Sequence, residues 1–201
     1  MKSGVSILVV CLAMSGSPAL GQSLPDIARQ QGGSARRMID LDGPIARPAE
    51  LLAQSDLVIH GRVADVTVRL NSDQSDVVTD YTIVPIQAFT QRRIDSVASP
   101  GAISNIVVQQ YGGSLVTADG LRLSTSVDIF RESERFRVGE EVVAFLIYRS
   151  ELRVYYFSGG AFGAYRIRDG KVRPMTKEVA TRLRTQPVDA SSFFRDLQRP
   201  R

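Results

Sequence analysis

The sequence predicts a mainly β domain, a small barrel of long, bent strands with short helices at its two ends. In the stretch Ser55–Leu70 apolar and polar residues alternate, as in a strand that buries one face. The alternation changes phase near Ala64 and Asp65, which a β-bulge explains because one inserted residue reverses the two faces. Two short strands with a break are the alternative. Bent strands with a glycine, here Gly61, are typical of small closed barrels.

A second observation is the continuous apolar run Val142–Tyr148. Its length suits a strand, and its lack of polar residues predicts a central strand that is buried on both faces. A third is Asp169-Gly170, which separates Tyr165–Arg168 from Lys171–Arg173 and predicts a β-hairpin. Together these patterns favour an all-β core.

The first 21 residues have the features of a secretory signal peptide. Lys2 supplies a positive charge, Ile7–Met14 is apolar, and small residues precede a cleavage site after Gly21. The apolar run is too short to span a membrane. Cys11 follows valine instead of the small residue expected before a lipid-modified cysteine, so we expect no lipid anchor. The sequence therefore predicts an exported protein, periplasmic or extracellular, without stable membrane insertion after cleavage.

Composition restricts the possible partners and the means of stabilisation. Cys11 is the one cysteine of the chain, so a mature chain beginning at Gln22 has no disulfide and relies on its core. About 180 residues suffice for one domain with a substantial core. Cleavage removes Lys2 and reduces the net charge from +4 to +3. The arginines are scattered among acidic residues with no basic run longer than a pair, so we expect no nucleic-acid partner.

The mature N-terminus, residues 22–47, is polar and contains glycine breakers. We expect a loosely ordered arm with one short helical turn near Ile27. Pro48 then begins a short helix that leads into the long strand. The barrel domain is predicted to span residues 48–173, and residues 174–201 are predicted to form a helical brace.

Further strands are predicted after the long one. The polar loop Asn71–Asp76 leads to a strand over Val77–Phe89, in which Pro85 indicates an edge or a bulge. Another strand, Ile103–Tyr111, ends at Gly112-Gly113, where the chain turns or another backbone approaches closely.

A hairpin is predicted in Leu115–Leu123 around Asp119-Gly120. The sequence does not indicate whether the charged segment Asp128–Arg137 forms a helix, a strand or a loop. In the helical brace, Val179 and Leu183 lie four residues apart, and Asp189 is placed to cap a second helix.

Structural glycines and strand ends follow one another along the chain in a recognisable order. They are Ser55-Asp56-Leu57-Val58, Gly61-Arg62-Val63, Gly112-Gly113, Phe136, Gly139-Glu140, Phe145-Leu146 and Gly159–Gly163. This series resembles that of a group of exported bacterial proteins of unknown function, whose strand order looks like an OB-type barrel, similar to the netrin-like domain of tissue inhibitors of metalloproteinases. The resemblance covers roughly Pro48–Arg173 and implies a five-stranded, closed or partly open OB-like barrel with a short N-terminal helix and C-terminal helices.

Two departures limit what the resemblance implies about activity. Phe89 is followed by Thr90-Gln91, where such proteins usually have lysine and glycine. The metalloproteinase inhibitors chelate the catalytic metal with an N-terminal cysteine, and the mature chain has none. Their inhibitory mechanism is therefore not transferred to this chain.

Candidates for chemistry are few. His60 is the only histidine, so a histidine- or cysteine-rich metal site is excluded. One hypothesis makes His60 a general base that acts with a serine and an aspartate. The chain has no Gly-x-Ser-x-Gly elbow, and a structural strand residue is the favoured interpretation. The loop carboxylates near Asp73 lack the bidentate glutamate of a calcium loop. Gly159–Gly163 precedes a hairpin instead of a helix, so no phosphate-binding loop and no cofactor is predicted.

Aromatic residues near the glycines are the candidate ligand-binding residues. OB-type barrels bind ligands on one sheet face and its flanking loops. The alternative is that half of these aromatic residues belong to the core. The sequence therefore predicts a non-catalytic binding or inhibitory module that acts on another exported protein or an envelope polymer. The alternative is a hydrolase of unfamiliar type that uses His60 with carboxylates. A weaker alternative is an oligonucleotide-binding domain. The candidate binding residues are Tyr111, Tyr156, Phe162 and Tyr165.

Overall fold

The computed structural model describes residues 22–39, 46–91, 105–127 and 132–199. Strands account for 48% of them and helices for 24%, which confirms the mainly β class. The helices are α1 (Leu24–Gln30), α2 (Pro48–Gln54), α3 (Lys177–Leu183) and α4 (Ala190–Gln198), with 3-10 turns at Glu132–Glu134 and Gly160–Gly163. The strands are β1 (Ser34–Ile39), β2 (Leu57–Leu70), β3 (Val77–Gln91), β4 (Ile106–Tyr111), β5 (Gly113–Val116), β6 (Arg122–Val127), β7 (Glu141–Arg149), β8 (Val154–Phe157), β9 (Ala164–Arg168), β10 (Lys171–Pro174) and β11 (Val188–Asp189).

The strands of the described residues form two sheets. The smaller has the order β1-β6-β5, and the larger has the order β11-β10-β9-β7-β2-β3-β4-β8. Strand β8 pairs in parallel with β4 and also antiparallel with β7. The last strand of the larger sheet is therefore hydrogen-bonded to a strand in the middle of the same sheet.

Strand β2 is continuous and bent, as its sequence pattern predicts. Its pairing with β3 shifts register between Val63 and Asp65, which confirms the β-bulge and shows that the alternative of two short strands is wrong. Two further shifts occur, at Val58/Ile59 and at His60/Gly61, and the second lies opposite Pro85. A proline in a strand lacks the N–H of a regular ladder, so the irregularity opposite Pro85 follows from its chemistry.

The apolar run in β7 is central, as predicted. Its residues from Val142 to Leu146 are fully buried, and the strand pairs with β2, β8 and β9. Phe145 packs edge-on against Tyr165 at 5.7 Å between ring centroids. The main core therefore lies between β7 and the strands around it.

The N-terminal region is more regular than its composition indicates. The expected polar arm contains α1 and β1, and β1 pairs in parallel with β6. Leu24 and Ala28 are buried with Leu123 in a second apolar cluster. The sequence signal was weak because this segment buries only a few side chains. The predicted signal peptide, residues 1–21, and residues 40–45 lie outside the described residues.

Both predicted hairpins form. Strands β5 and β6 pair around Asp119-Gly120, and β9 and β10 pair around Asp169-Gly170. Pro48 is the first residue of α2, and Asp189 caps α4 by accepting a hydrogen bond from the backbone N–H of Ser192 at 3.2 Å. Among the described residues, no helix has the length and apolar character needed to cross a membrane.

Candidate functional site

Two of the four candidate aromatic residues lie together. The rings of Tyr111 and Tyr156 are stacked, with 6.1 Å between centroids and 28° between planes. Tyr111 is at the end of β4 and Tyr156 is in β8, so the parallel pairing of these strands brings the two rings to one surface. Both side chains are partly exposed. An amphipathic, partly exposed aromatic pair is a common element of binding surfaces.

A row of polar side chains holds the tyrosine pair in place. The Tyr156 hydroxyl donates a hydrogen bond to Oε1 of Gln109, whose Nε2 donates to Oδ1 of Asp80 at 2.9 Å. Nε of Arg69 donates to Oδ2 of the same aspartate at 2.6 Å. The row crosses β2, β3, β4 and β8, because Asp80 faces Gln109 and Gln109 faces Tyr156 in the strand register. Burial raises the pKa of Tyr156, and the nearby Tyr111 raises it further, so the hydroxyl stays protonated and can donate.

The pair borders a pocket of about 230 Å³ between two loops. The β2–β3 loop supplies one wall and the β7–β8 loop the other. Leu152 in the β7–β8 loop leaves 51% of its surface exposed. The lining residues are Arg69, Asn71, Ser72, Asp73, Gln109, Tyr111, Leu152, Val154 and Tyr156.

The β2–β3 loop is held by its own hydrogen bonds. Oδ1 of Asn71 accepts from the N–H of Asp76, and Oδ1 of Asp73 accepts from the N–H of Ser75, both at 3.0 Å. The Ser75 backbone hydrogen bond is the main reason why the pKa of Asp73 lies below its usual value. These contacts fit the interpretation of the loop as a hydrogen-bonded turn. Nowhere in the described ranges do three histidine, cysteine, aspartate or glutamate side chains cluster as a metal site requires.

The other two candidate aromatic residues belong to the core, which corrects the sequence-based assignment. Phe162 is 1% exposed and Tyr165 is 3% exposed. Tyr165 packs against Phe145 and Phe193, and burial raises its pKa strongly. Side chains with so little exposure offer no surface to a ligand. The sequence could not separate these residues from Tyr111 and Tyr156, because aromatic residues serve both cores and binding faces.

His60 lies on the outer side of β2 beneath α4. Its Nε2 is 3.5 Å from Oε2 of Glu141, and its ring lies 5.0 Å from that of Phe194. Arg62 donates to the other oxygen of Glu141 at 2.8 Å. This hydrogen bond, with a smaller contribution from His60, lowers the pKa of Glu141. The imidazole therefore has a carboxylate neighbour, and Phe194 packs against its ring.

Reasoning from the sequence missed most of the polar residues of the tyrosine pocket. Gln109 lies in β4 beside Gln110, and Asp80 lies in β3 among threonines, so neither residue stood out in the sequence. Leu152 gave no signal, because an exposed leucine in a loop is common.

Compared with models of known protein families and with curated proteins, the chain matches none.

Proposed function

We propose that strands β2, β3, β4, β7 and β8 form an OB-type barrel. The support is their pairing order, in which the third strand of the five pairs in parallel with the fifth, and the fifth also pairs with the fourth. The fourth strand in turn pairs with the first. In this arrangement the β2–β3 and β7–β8 loops correspond to the two loops that flank the binding face of OB folds.

On this basis the protein is an exported, non-catalytic binding module that recognises another exported protein or an envelope polymer. The stacked pair Tyr111 and Tyr156, in a pocket between those two loops, is the observation that carries the proposal. The fixed hydrogen-bond row beneath the pair pre-organises it, which reduces the entropy lost on binding. The export of the chain rests on the predicted signal peptide, and N-terminal sequencing of the secreted protein tests it by giving Gln22 as the first residue.

The size of the pocket limits the ligand. Small-molecule pockets commonly have volumes of about 300–1,000 Å³, and this one, at about 230 Å³, is smaller. It suits a single projecting group of a larger partner, such as one side chain or one sugar ring. The exposed Leu152 and the two aromatic rings offer apolar contact, and the exposed part of the Arg69 side chain offers polar contact at the rim.

Affinity capture from envelope extract, with residues 22–201 as bait and identification by mass spectrometry, tests the proposal. Tyr111→Leu and Tyr156→Leu variants serve as altered baits, and Tyr148→Leu serves as the matched control. Tyr148 is also partly buried and packs against a tyrosine, Tyr155, with 5.0 Å between ring centroids, but it does not line the pocket.

We expect the wild type and the Tyr148 variant to retain the same partner in stoichiometric amount, and the two pocket variants to lose it. Equal capture by all four baits would show that the partner binds elsewhere. An empty capture with folded wild-type bait would contradict a stable partner in the envelope.

The alternative, a hydrolase using His60, now has Glu141 as its one carboxylate within 4 Å among the described residues. We favour the binding module because Phe194 packs against the imidazole and hinders a substrate from reaching it. A His60→Ala variant distinguishes the two: a hydrolase loses its activity in the variant, whereas a binding module keeps its partner.

A single-stranded oligonucleotide serves as the probe for the weaker alternative, an oligonucleotide-binding domain, and we expect no salt-dependent binding.

A further inference from the structure

A second surface, which shares no lining residue with the tyrosine pocket, gathers positive charge. In the hairpin of β9 and β10, Ile167 and Val172 face each other on one side. On the opposite side Arg166 pairs with Arg173, and Arg168 pairs with Lys171. All four cations therefore lie on one face of a two-stranded hairpin.

This arrangement is electrostatically unfavourable by itself. Side chains directly opposite each other in an antiparallel pair have Cβ atoms about 4.5–5.5 Å apart, and like charges there destabilise the pair. Within the described parts of the chain, neither Arg168 nor Arg173 has a salt bridge to a carboxylate. A bound anion would relieve the repulsion.

The same face borders a pocket of about 540 Å³ between the hairpin, the 3-10 turn at Glu132–Glu134 and the start of α3. Four cations line it against one carboxylate, that of Glu134, which accepts a hydrogen bond from the backbone N–H of Lys177 at 3.0 Å. The lining cations are Arg166, Arg168, Arg173 and Lys177.

Arg166 is positioned at the base of this surface. One of its terminal nitrogens, Nη2, donates to the carbonyl of Glu134 at 2.6 Å and lies 3.9 Å from Oε2 of Glu140. Its guanidinium also lies over the ring of Phe136, 5.7 Å from the centroid. Nε of Arg166 is buried and has no hydrogen-bond partner among the described residues. The guanidinium is therefore held in place while one of its donors remains unused.

We propose that this pocket binds a phosphate group, either free or carried on an anionic polymer. Arginine offers several donors in a planar arrangement that matches phosphate oxygens, and charge-assisted hydrogen bonds of this kind are stronger than neutral ones. Arg168, Arg173 and Lys177 are exposed and can reach a ligand from the rim. The site is separate from the tyrosine pocket and does not depend on the proposed function.

Calorimetric titration of residues 22–201 with inorganic phosphate and with linear polyphosphate tests the inference. The variants are Arg173→Gln and the double variant Arg168→Gln/Arg173→Gln, which leave the contacts of Arg166 intact. The matched control is Arg195→Gln, which removes the same charge from an exposed position of α4 outside the pocket. Circular dichroism verifies that each variant is folded.

We expect Arg173→Gln to weaken binding about tenfold, as the loss of one hydrogen bond to a charged group implies, and the double variant to bind still more weakly. Arg195→Gln should bind like the wild type. Binding of inorganic phosphate identifies a free-anion site, and binding of polyphosphate alone identifies a polymer site. Absence of binding to both ligands, or equal weakening in Arg195→Gln and Arg173→Gln, would overturn the proposal.

Discussion

Replacement of Gly61 by alanine tests the close approach of β2 and β3 at the bend. A Cβ atom at this position would lie 2.6 Å from Cγ2 of Ile83 and 2.8 Å from the carbonyl oxygen of Val84. Favourable carbon–carbon contacts are about 3.5–4.0 Å. Ile83 is fully buried and the second contact is main chain, so neither neighbour has room to move away. The clash therefore strains the pairing that bends the strand.

The expected cost follows from these contacts. Overpacking of a core costs about 1–3 kcal/mol, and the main-chain contact places this variant near the upper end. Alanine also reduces the conformational entropy of the unfolded chain, which offsets about 0.4–1 kcal/mol of this cost. We expect Gly61→Ala to lower the free energy of unfolding by about 2 kcal/mol and the melting temperature by roughly 4–8 °C.

Urea denaturation and thermal unfolding followed by circular dichroism measure the effect, with an unchanged m-value as evidence that only stability changes. Gly120→Ala is the control, because Gly120 has φ +83° and nothing within 4 Å of an added Cβ. That variant has backbone strain of about 1 kcal/mol without a clash. If Gly61→Ala were no less stable than Gly120→Ala, the inferred close packing at the bend would be wrong.

Three further changes have expected outcomes. The buried hydroxyl of Tyr165 has no hydrogen-bond partner among the described residues, so Tyr165→Phe should stabilise the protein by about 1 kcal/mol. Because the pKa of Tyr165 is raised in the folded protein, its neutral hydroxyl favours the folded state, and this contribution is fully present below about pH 10 and is lost above it. Between pH 8 and pH 11 the free energy of unfolding should therefore fall less in the variant than in the wild type, as urea denaturation at the two pH values would show. Arg62→Gln should raise the pKa of Glu141, because it removes the hydrogen bond that lowers that pKa most; an NMR titration measures the change. In the wild type the ion pair stabilises the folded state at neutral pH, and this stabilisation is lost as the pH falls below about 4.5. An unchanged pKa of Glu141 would argue against the ion pair. Asp189→Ala removes the N-cap of α4 and should cost about 1 kcal/mol in thermal unfolding, whereas no change would show that the cap is dispensable.

Two groups of residues show why the candidate sites were harder to predict than the fold. Tyr111 and Tyr156 are 45 positions apart, and only the parallel pairing of β4 with β8 stacks them. Arg166 and Arg173 belong to a hairpin that the sequence did predict, yet scattered arginines gave no indication of a charged face. The register of β9 and β10 places them opposite each other, and the packing of α3 and the Glu132–Glu134 turn forms the pocket around them.

Local patterns in the sequence were enough to predict the features that depend on neighbours along the chain: the bulge in β2, the buried β7, the two Asp-Gly hairpins, the start of α2 at Pro48 and the Asp189 cap of α4. Each arises from side-chain periodicity or turn chemistry within a few residues. Tertiary structure alone decided that β1 pairs with β6, that Phe162 and Tyr165 are buried, and that the tyrosine and arginine surfaces form. These features depend on contacts between distant segments, whose formation is governed by the packing of the whole core and not by any local pattern.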